Sequence, residues 1–202
     1  SMLGICNLAE MEALHDTSMH YFRMLASVAN QLQNKLVRLL AVNNLKKTIP
    51  AKKDFTLGDI FEHGVFASNQ IKEQGHISID IKYPKEKVIN SDLSIYQILF
   101  DNLMEYAIKN VSNSDNGRFN VRMNIMVDKN LQAFFTYNGI KIPENVHSEI
   151  FNMFYRTNNN PDLTGMELYT AFLAAEKLGG KVELLSSTRE ETIFSILIPN
   201  VQ

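Results

Sequence analysis

The N-terminal quarter of the chain carries one long helical pattern. Residues 5–47 contain neither glycine nor proline. Apolar positions there recur at alternating spacings of three and four residues, which is typical of a coiled-coil or helix-bundle seam. The seam consists of Phe22, Leu25, Ala29, Leu32, Leu36, Leu39 and Asn43. Two interpretations are open: the helix packs on its own domain, or it forms a bundle with a second chain.

A polar break precedes this long helix. Asp16, Thr17 and Ser18 each have a side chain suited to capping the N-terminus of a helix. Residues 3–12 would then form the end of an earlier helix, joined to the long one in a hairpin. The basic, proline-containing segment 46–53 follows the long helix. It predicts a linker and a domain boundary. We therefore expect two parts, 1–48 and 54–202.

The second part alternates between strand and helix patterns. Thr56 is placed to cap a helix running to about residue 74, and Ser91 or Asp92 to cap another. Strictly alternating apolar residues predict strands. The expected strands are 77–83, 119–127, 131–137, 181–185 and 192–198, with a further helix at 165–178. Strands with interposed helices predict an α+β fold, a two-layer α/β sandwich.

Composition narrows the classes of partner. The 202 residues are 45% hydrophobic and 21% charged, which is typical of a folded protein. The net charge of −2 predicts no nucleic-acid partner. Cys6 is the single cysteine, which favours a reducing compartment, the cytoplasm. No apolar run approaches the roughly 20 residues of a membrane span, and the opening residues lack a basic signal-peptide region. We expect no membrane contact here, with an anchor elsewhere in a longer protein left open.

Five motifs follow one another in a fixed order from residue 88 onward. They lie at 88–109, 137–143, 150–156, 164–168 and 178–182. Together they resemble the N, G1, F and G2 boxes and the last helix ending of the catalytic, ATP-binding domain of two-component sensor histidine kinases. That domain shares its ATPase fold with gyrase, the ninety-kilodalton heat-shock chaperone and the MutL proteins. The helices before it resemble the dimerisation and histidine-phosphotransfer hairpin of the same kinases.

The resemblance implies a function and a set of positions. It implies ATP and Mg²⁺ as cofactors, a homodimer through residues 17–47, and the receiver domain of a response regulator as partner. The phosphoacceptor histidine would lie upstream of Leu3, so that this chain holds no catalytic residue. His15 with Asp16 imitates a phosphoacceptor motif, but its expected loop position argues against that role, and His20 is interpreted as a bundle residue. The implied nucleotide-binding residues are Asn102, Lys109, Gly139, Ile142, Tyr155, Arg156, Thr164, Gly165 and Leu168.

Five positions depart from the family pattern. Tyr137 stands where the family has the Asp that accepts a hydrogen bond from adenine, and Tyr106 replaces the metal-binding second Asn of the N box. Lys141 replaces the second glycine of the G1 box, and Leu163 and Glu167 replace the outer glycines of the G2 box. Glu167 would repel a phosphate. We expect Tyr106, Tyr137 and Lys141 to crowd the adenine pocket, and we assign no metal ligand.

Two hypotheses follow for the function. The first is the cytoplasmic core of a sensor kinase, which autophosphorylates an upstream histidine with ATP and signals to a response regulator, with ATP binding weak or lost in this chain. The second is a pseudokinase module that dimerises and scaffolds partners. The retained residues also have structural interpretations: Lys109 as a surface lysine, Phe151 and Phe154 as core residues, and Asn102 as a bridge to neighbouring backbone. Glu105 is adjacent to Tyr106, and on a helix neighbouring side chains point about 100° apart. We therefore do not expect Glu105 to take the place of the family's metal-binding Asn.

Overall fold

The computed structural model describes residues 4–5, 16–62, 77–110, 119–156 and 163–199. It divides into two compact units, Ser1–Asn44 and Leu45–Gln202. Helix α1 (Asp16–Lys47) provides most of the described part of the first unit. Because α1 begins at Asp16, Thr17 and Ser18 lie within the helix and do not precede it. Apart from Gly4 and Ile5, which are helical, the predicted earlier helix lies outside the described residues.

Four leucines of the α1 seam are exposed in the structure. Leu25, Leu32 and Leu36 are each 54% exposed, and Leu39 is 40% exposed. Val28, which lies on the same face, is 62% exposed. These exposed leucines are compatible with a bundle formed with a second chain, and both interpretations of the helix stay predictions.

The second unit begins with a small antiparallel pair that the sequence pattern did not predict. Strand β1 (Lys53–Thr56) pairs with β3 (Val88–Ser91). Thr56 caps helix α2 (Leu57–Phe61), as predicted: its Oγ1 accepts from the Asp59 amide while the Asp59 carboxylate accepts from the Thr56 amide. The helix ends at Phe61 with Glu62 as its C-cap residue, so the prediction that it runs to about residue 74 is wrong, and residues 63–76 lie outside the described part of the chain.

The main sheet has five strands: β2 (Ile77–Lys82), β4 (Phe119–Val127), β5 (Leu131–Tyr137), β6 (Lys181–Ser187) and β7 (Thr192–Ile198). They lie in the order β2-β4-β5-β7-β6. Strand β2 runs parallel to β4, and the other neighbours are antiparallel. All five were predicted, although β6 continues two residues further than expected.

Two helices cover the inner face of this sheet. Helix α3 (Leu93–Lys109) begins at the predicted cap Asp92, whose Oδ1 accepts from the amides of Ser94 and Ile95. Helix α4 (Glu167–Lys177) packs beside it. Buried residues alternate along the strands facing them, for example Ala133, Phe135 and Tyr137 in β5. The predicted two-layer sandwich is confirmed. Within the described ranges, no helix has the length and hydropathy needed to cross a bilayer.

Candidate functional site

The predicted nucleotide motifs meet at one end of the α3–α4 pair. Lys109, the last residue of α3, lies 3.2 Å from the carboxylate of Glu167, the first residue of α4. The loop after β5 joins the same end of α3, because the Ile140 amide donates to the Asn110 carbonyl. The fold therefore brings together the N, G1 and G2 boxes, which are far apart in sequence.

Tyr137, at the end of β5, is fully buried in a group of aromatic rings. Its ring stacks on Phe194 with centroids 6.4 Å apart, and Tyr106 meets it edge-on at 6.2 Å. Tyr106 also lies edge-on to Phe194 at 6.2 Å. Burial, followed by the neighbouring Tyr106, raises the pKa of Tyr137 well above its ordinary value. The hydroxyl therefore stays neutral at physiological pH, unlike the carboxylate of the family.

The loop after β5 is fixed by packing and hydrogen bonds. A Cβ added to Gly139 would lie 2.8 Å from the Asn110 carbonyl oxygen and 2.8 Å from a carbon of the Tyr137 ring. Ile142 is buried, and its amide donates to Ser187 Oγ at 2.8 Å. The conformation of this chain accordingly requires Gly139 for its own packing, whatever ligand binds.

Lys109 is held between two carboxylates. Its Nζ lies 2.6 Å from Glu105 Oε1 and 3.2 Å from Glu167 Oε1. The side chain of Lys109 is only 22% exposed and that of Glu167 is 1% exposed. Its interpretation as an ordinary surface lysine is wrong. Its charge is also balanced within the protein, which leaves less attraction for an incoming phosphate.

The Glu167 carboxylate accepts hydrogen bonds from the residues just before its own helix. Oε1 accepts from the Thr164 amide and hydroxyl, each at 3.0 Å, and Oε2 accepts from the amides of Gly165 and Met166, each at 3.1 Å. Burial acts to raise the pKa of Glu167, but hydrogen bonds from the amides of Thr164 and Glu167 and the charge of Lys109 outweigh it and lower the pKa. Sequence reasoning placed this negative charge near the phosphate position but did not identify these donors.

The N box does not present a cluster of metal ligands. The Asn102 side-chain amide donates to the Ile98 carbonyl one turn earlier, at 2.7 Å, which matches its interpretation as a bridge to neighbouring backbone. Asn102 Oδ1 is buried with no protein partner in the described part of the chain. Among the described residues, no three His, Cys, Asp or Glu side chains come together to hold a metal.

The F box combines packing residues with exposed ones. Phe151 packs against Phe172 at 5.6 Å and Phe194 at 6.2 Å, as expected of a core residue. Phe154 is 53% exposed and has φ of 68°, so its interpretation as a core residue is wrong. Tyr155 is partly buried against the core, and Arg156 is exposed.

The remaining positions of the G1 and G2 boxes, retained and substituted, differ in their environment. Leu163 and Leu168 are buried, and Gly165 has φ of +76°. Lys141 is exposed and lies 4.0 Å from the Glu144 carboxylate. Its side chain reaches solvent and an acidic neighbour three residues on. The expectation that Lys141 crowds the adenine pocket stays a prediction.

Comparison with known proteins agrees with this architecture. The two-layer sandwich with these boxes at one end defines a histidine-kinase type of ATPase domain. The family described as "Histidine kinase-, DNA gyrase B-, and HSP90-like ATPase" matches residues 90–202, more than half of the chain. The chain belongs to that family. A comparison with curated protein sequences finds no match.

Several solved structures, histidine kinases among them, share the fold. Acinetobacter baumannii histidine kinase AdeS is 15% identical, with 100% of this chain and 94% of AdeS covered and a TM-score of 0.68. Full-length ShkA in complex with AMPPNP is 17% identical, with 100% of this chain and 42% of ShkA covered and a TM-score of 0.70. The mycobacterial sensor histidine kinase MprB is 15% identical, with 74% and 97% covered and a TM-score of 0.59. At these identities the likeness shows the fold.

Proposed function

We propose that this chain is a pseudokinase core of two-component signalling, in which ATP binding is weak or lost. It acts in the cytoplasm as a homodimer through residues 17–47 and engages the receiver domain of a response regulator by protein contact. The family match and the sensor-kinase fold support the pathway. The side chains at the nucleotide position support the loss of chemistry.

The burial of Tyr137 is the observation that carries this proposal. The family accepts the adenine amine with a carboxylate at this position, whereas Tyr137 is a neutral phenol enclosed by Tyr106 and Phe194. A site built to hydrogen-bond a ligand rejects an analogue that lacks the matching group by about 10⁴–10⁵-fold, because a buried polar group is left unpaired. Here the adenine amine would be the group left unpaired. An adenine ring would also need the space that Tyr137, Tyr106 and Phe194 now fill.

The phosphate and metal positions support the same conclusion. Lys109, the candidate phosphate contact, is already bound by Glu105 and Glu167. Tyr106 stands at the family's metal position, and its ring packs on Tyr137 and Phe194. ATP with Mg²⁺ does not fit these residues, so we assign no phosphoryl-transfer step to this domain.

An active kinase core is the alternative function. It would autophosphorylate, with ATP, a histidine upstream of Leu3 and pass the phosphoryl group to a response regulator. The retained Asn102, Lys109, Gly139, Thr164 and Gly165 favour it. The packing role of Gly139 and the ion pairs of Lys109 explain two of these without a nucleotide.

Calorimetric titration distinguishes the two functions. We expect no binding of AMPPNP with Mg²⁺ up to about 1 mM, a limit that corresponds to roughly −4 kcal/mol. Full-length ShkA, whose structure was solved with AMPPNP, serves as the positive control. Micromolar, Mg²⁺-dependent binding by this chain would contradict the pseudokinase proposal.

The exposed seam of α1 predicts a dimer that depends on two leucines. Replacing both Leu32 and Leu36 with Glu should weaken association by at least about tenfold, because each buried leucine contributes roughly 1.5–3 kcal/mol. Sedimentation equilibrium measures the change. Replacing Asn34, an exposed position off the seam, with Glu is the matched control and should leave the dimer intact. A strictly monomeric unaltered chain would refute the dimer.

A further inference from the structure

Donors from two parts of the chain converge on one buried carboxylate. The amides of Thr164, Gly165 and Met166, together with the Thr164 hydroxyl, donate to Glu167. Successive amides pointing at one spot, at the start of a helix whose dipole is positive there, form a ready-made anion site. The anion in that site is the side chain of Glu167.

Lys109 completes the site from α3. Its ammonium contacts Glu167 Oε1 at 3.2 Å, the same oxygen that accepts from Thr164. Three amides, a hydroxyl and an ammonium are thus the partners of a single carboxylate that is 1% exposed. Such a set matches the needs of a phosphate group as well as those of a carboxylate.

This arrangement includes a helix-capping contact and extends beyond it. Glu167 accepts from the amide of Thr164 three residues earlier, as the carboxylate of a capping box does and as Asp59 does from Thr56. A capping box accounts for that one amide only. The Glu167 carboxylate also accepts from the amides of Gly165 and Met166 and contacts the Lys109 ammonium. These additional donors enclose the carboxylate as they would a bound anion.

We infer that Glu167 is an intramolecular ligand of the anion site formed by residues 164–166 and Lys109, and that it takes the position a nucleotide phosphate would need. The Glu167 carboxylate excludes phosphates because it already binds the donors of the site and because its negative charge repels them. It also holds the start of α4 in an anion-bound arrangement without any nucleotide. This inference rests on the proposed function, because it gives the phosphate half of the lost ATP binding a physical cause.

Anion rescue of a Glu167→Ala variant tests the inference. The substitution empties the site and should lower the Tm by roughly 4–8 °C. Inorganic pyrophosphate at constant ionic strength should then recover at least about half of that loss by binding the vacated donors. The unaltered chain should show no shift with pyrophosphate, because its site is filled. Thermal unfolding monitored by circular dichroism measures both.

Two further variants serve as controls. Glu167→Gln keeps an amide in the site and should lower the Tm without rescue by pyrophosphate. Thr170→Ala removes a buried hydroxyl that donates to the Met166 carbonyl on the same helix, and its lowered Tm should not respond either. The inference is overturned if Glu167→Ala gains nothing from pyrophosphate, or if Thr170→Ala gains as much.

A second measurement covers the case in which Glu167→Ala does not fold. In Glu167→Gln, the position of Oε2, which accepts from the amides of Gly165 and Met166, is taken either by an NH₂ group that cannot accept or by an uncharged oxygen that accepts more weakly. Hydrogen exchange of these two amides should then accelerate at least about tenfold over the unaltered chain. Unchanged exchange would overturn the inference.

The two proposals fail separately. Micromolar AMPPNP binding by the unaltered chain refutes the loss of ATP binding. A missing pyrophosphate response refutes Glu167 as a ligand and leaves the evidence from Tyr137 in place.

Discussion

Replacing Tyr137 with alanine should lower the free energy of unfolding by about 3–5 kcal/mol. The side chain is fully buried, and its ring contacts those of Tyr106, Phe135 and Phe194. The substitution removes this burial and leaves a cavity in the centre of the aromatic group. Urea denaturation measures the change, through a lower midpoint at an unchanged slope.

Tyr137→Phe is the matched control. It keeps the ring and its contacts, so we expect a loss of less than about 1.5 kcal/mol, as for other swaps that preserve volume. A loss below about 1 kcal/mol for Tyr137→Ala would contradict the role of this tyrosine as a packing residue. It would also reopen the adenine position to a ligand.

Replacing Gly165 with alanine should cost roughly 2–5 kcal/mol. A Cβ at this position would lie 2.6 Å from the Phe154 carbonyl carbon and 2.7 Å from its oxygen. Backbone atoms cannot give way as a flexible side chain does, so overpacking adds about 1–3 kcal/mol. The left-handed conformation of Gly165, with φ of +76°, adds about 1–2 kcal/mol for any other residue. Urea denaturation again provides the measurement.

Gly179 separates the two contributions to this loss. It has nearly the same conformation, with φ of +75°, but a Cβ there would meet nothing within 4 Å. Gly179→Ala should therefore show the conformational cost alone, about 1–2 kcal/mol. Equal decreases in the free energy of unfolding for both variants would contradict the steric contribution. They would mean that the Phe154 backbone moves easily to accommodate a Cβ at position 165.

The main elements of the fold could be predicted because their patterns are long. Seven-residue and nine-residue strands such as β5 and β4 show several full periods of alternation. Strands β1 and β3 have four residues each and pair with one another, so neither is long enough to show several periods of alternation. Caps were predicted where one side chain serves the next few amides, as at Thr56 and Asp92.

The positions in the candidate site were predictable, but their partners were not. Motif order placed Lys109 and Glu167 near the same phosphate position, whereas their ion pair depends on how α3 meets α4, 58 residues apart in sequence. The neighbour of Lys141 was not predictable for a related reason. Its ammonium lies 4.0 Å from the Glu144 carboxylate, which depends on the local direction of the loop. Phe154 was misassigned because aromatic residues in an apolar motif are usually buried.

The carboxylate of Glu167 also bears on how such a domain changes over generations. Once the side chain stabilises the start of α4, a change back to the glycine of the family removes five interactions before any nucleotide can replace them. Tyr137 would still lack the required carboxylate after that step. Under the proposed function, a gain of ATP binding requires several substitutions, and the change at Glu167 is destabilising when made alone. Such a dependence among positions makes the substitutions difficult to reverse one at a time.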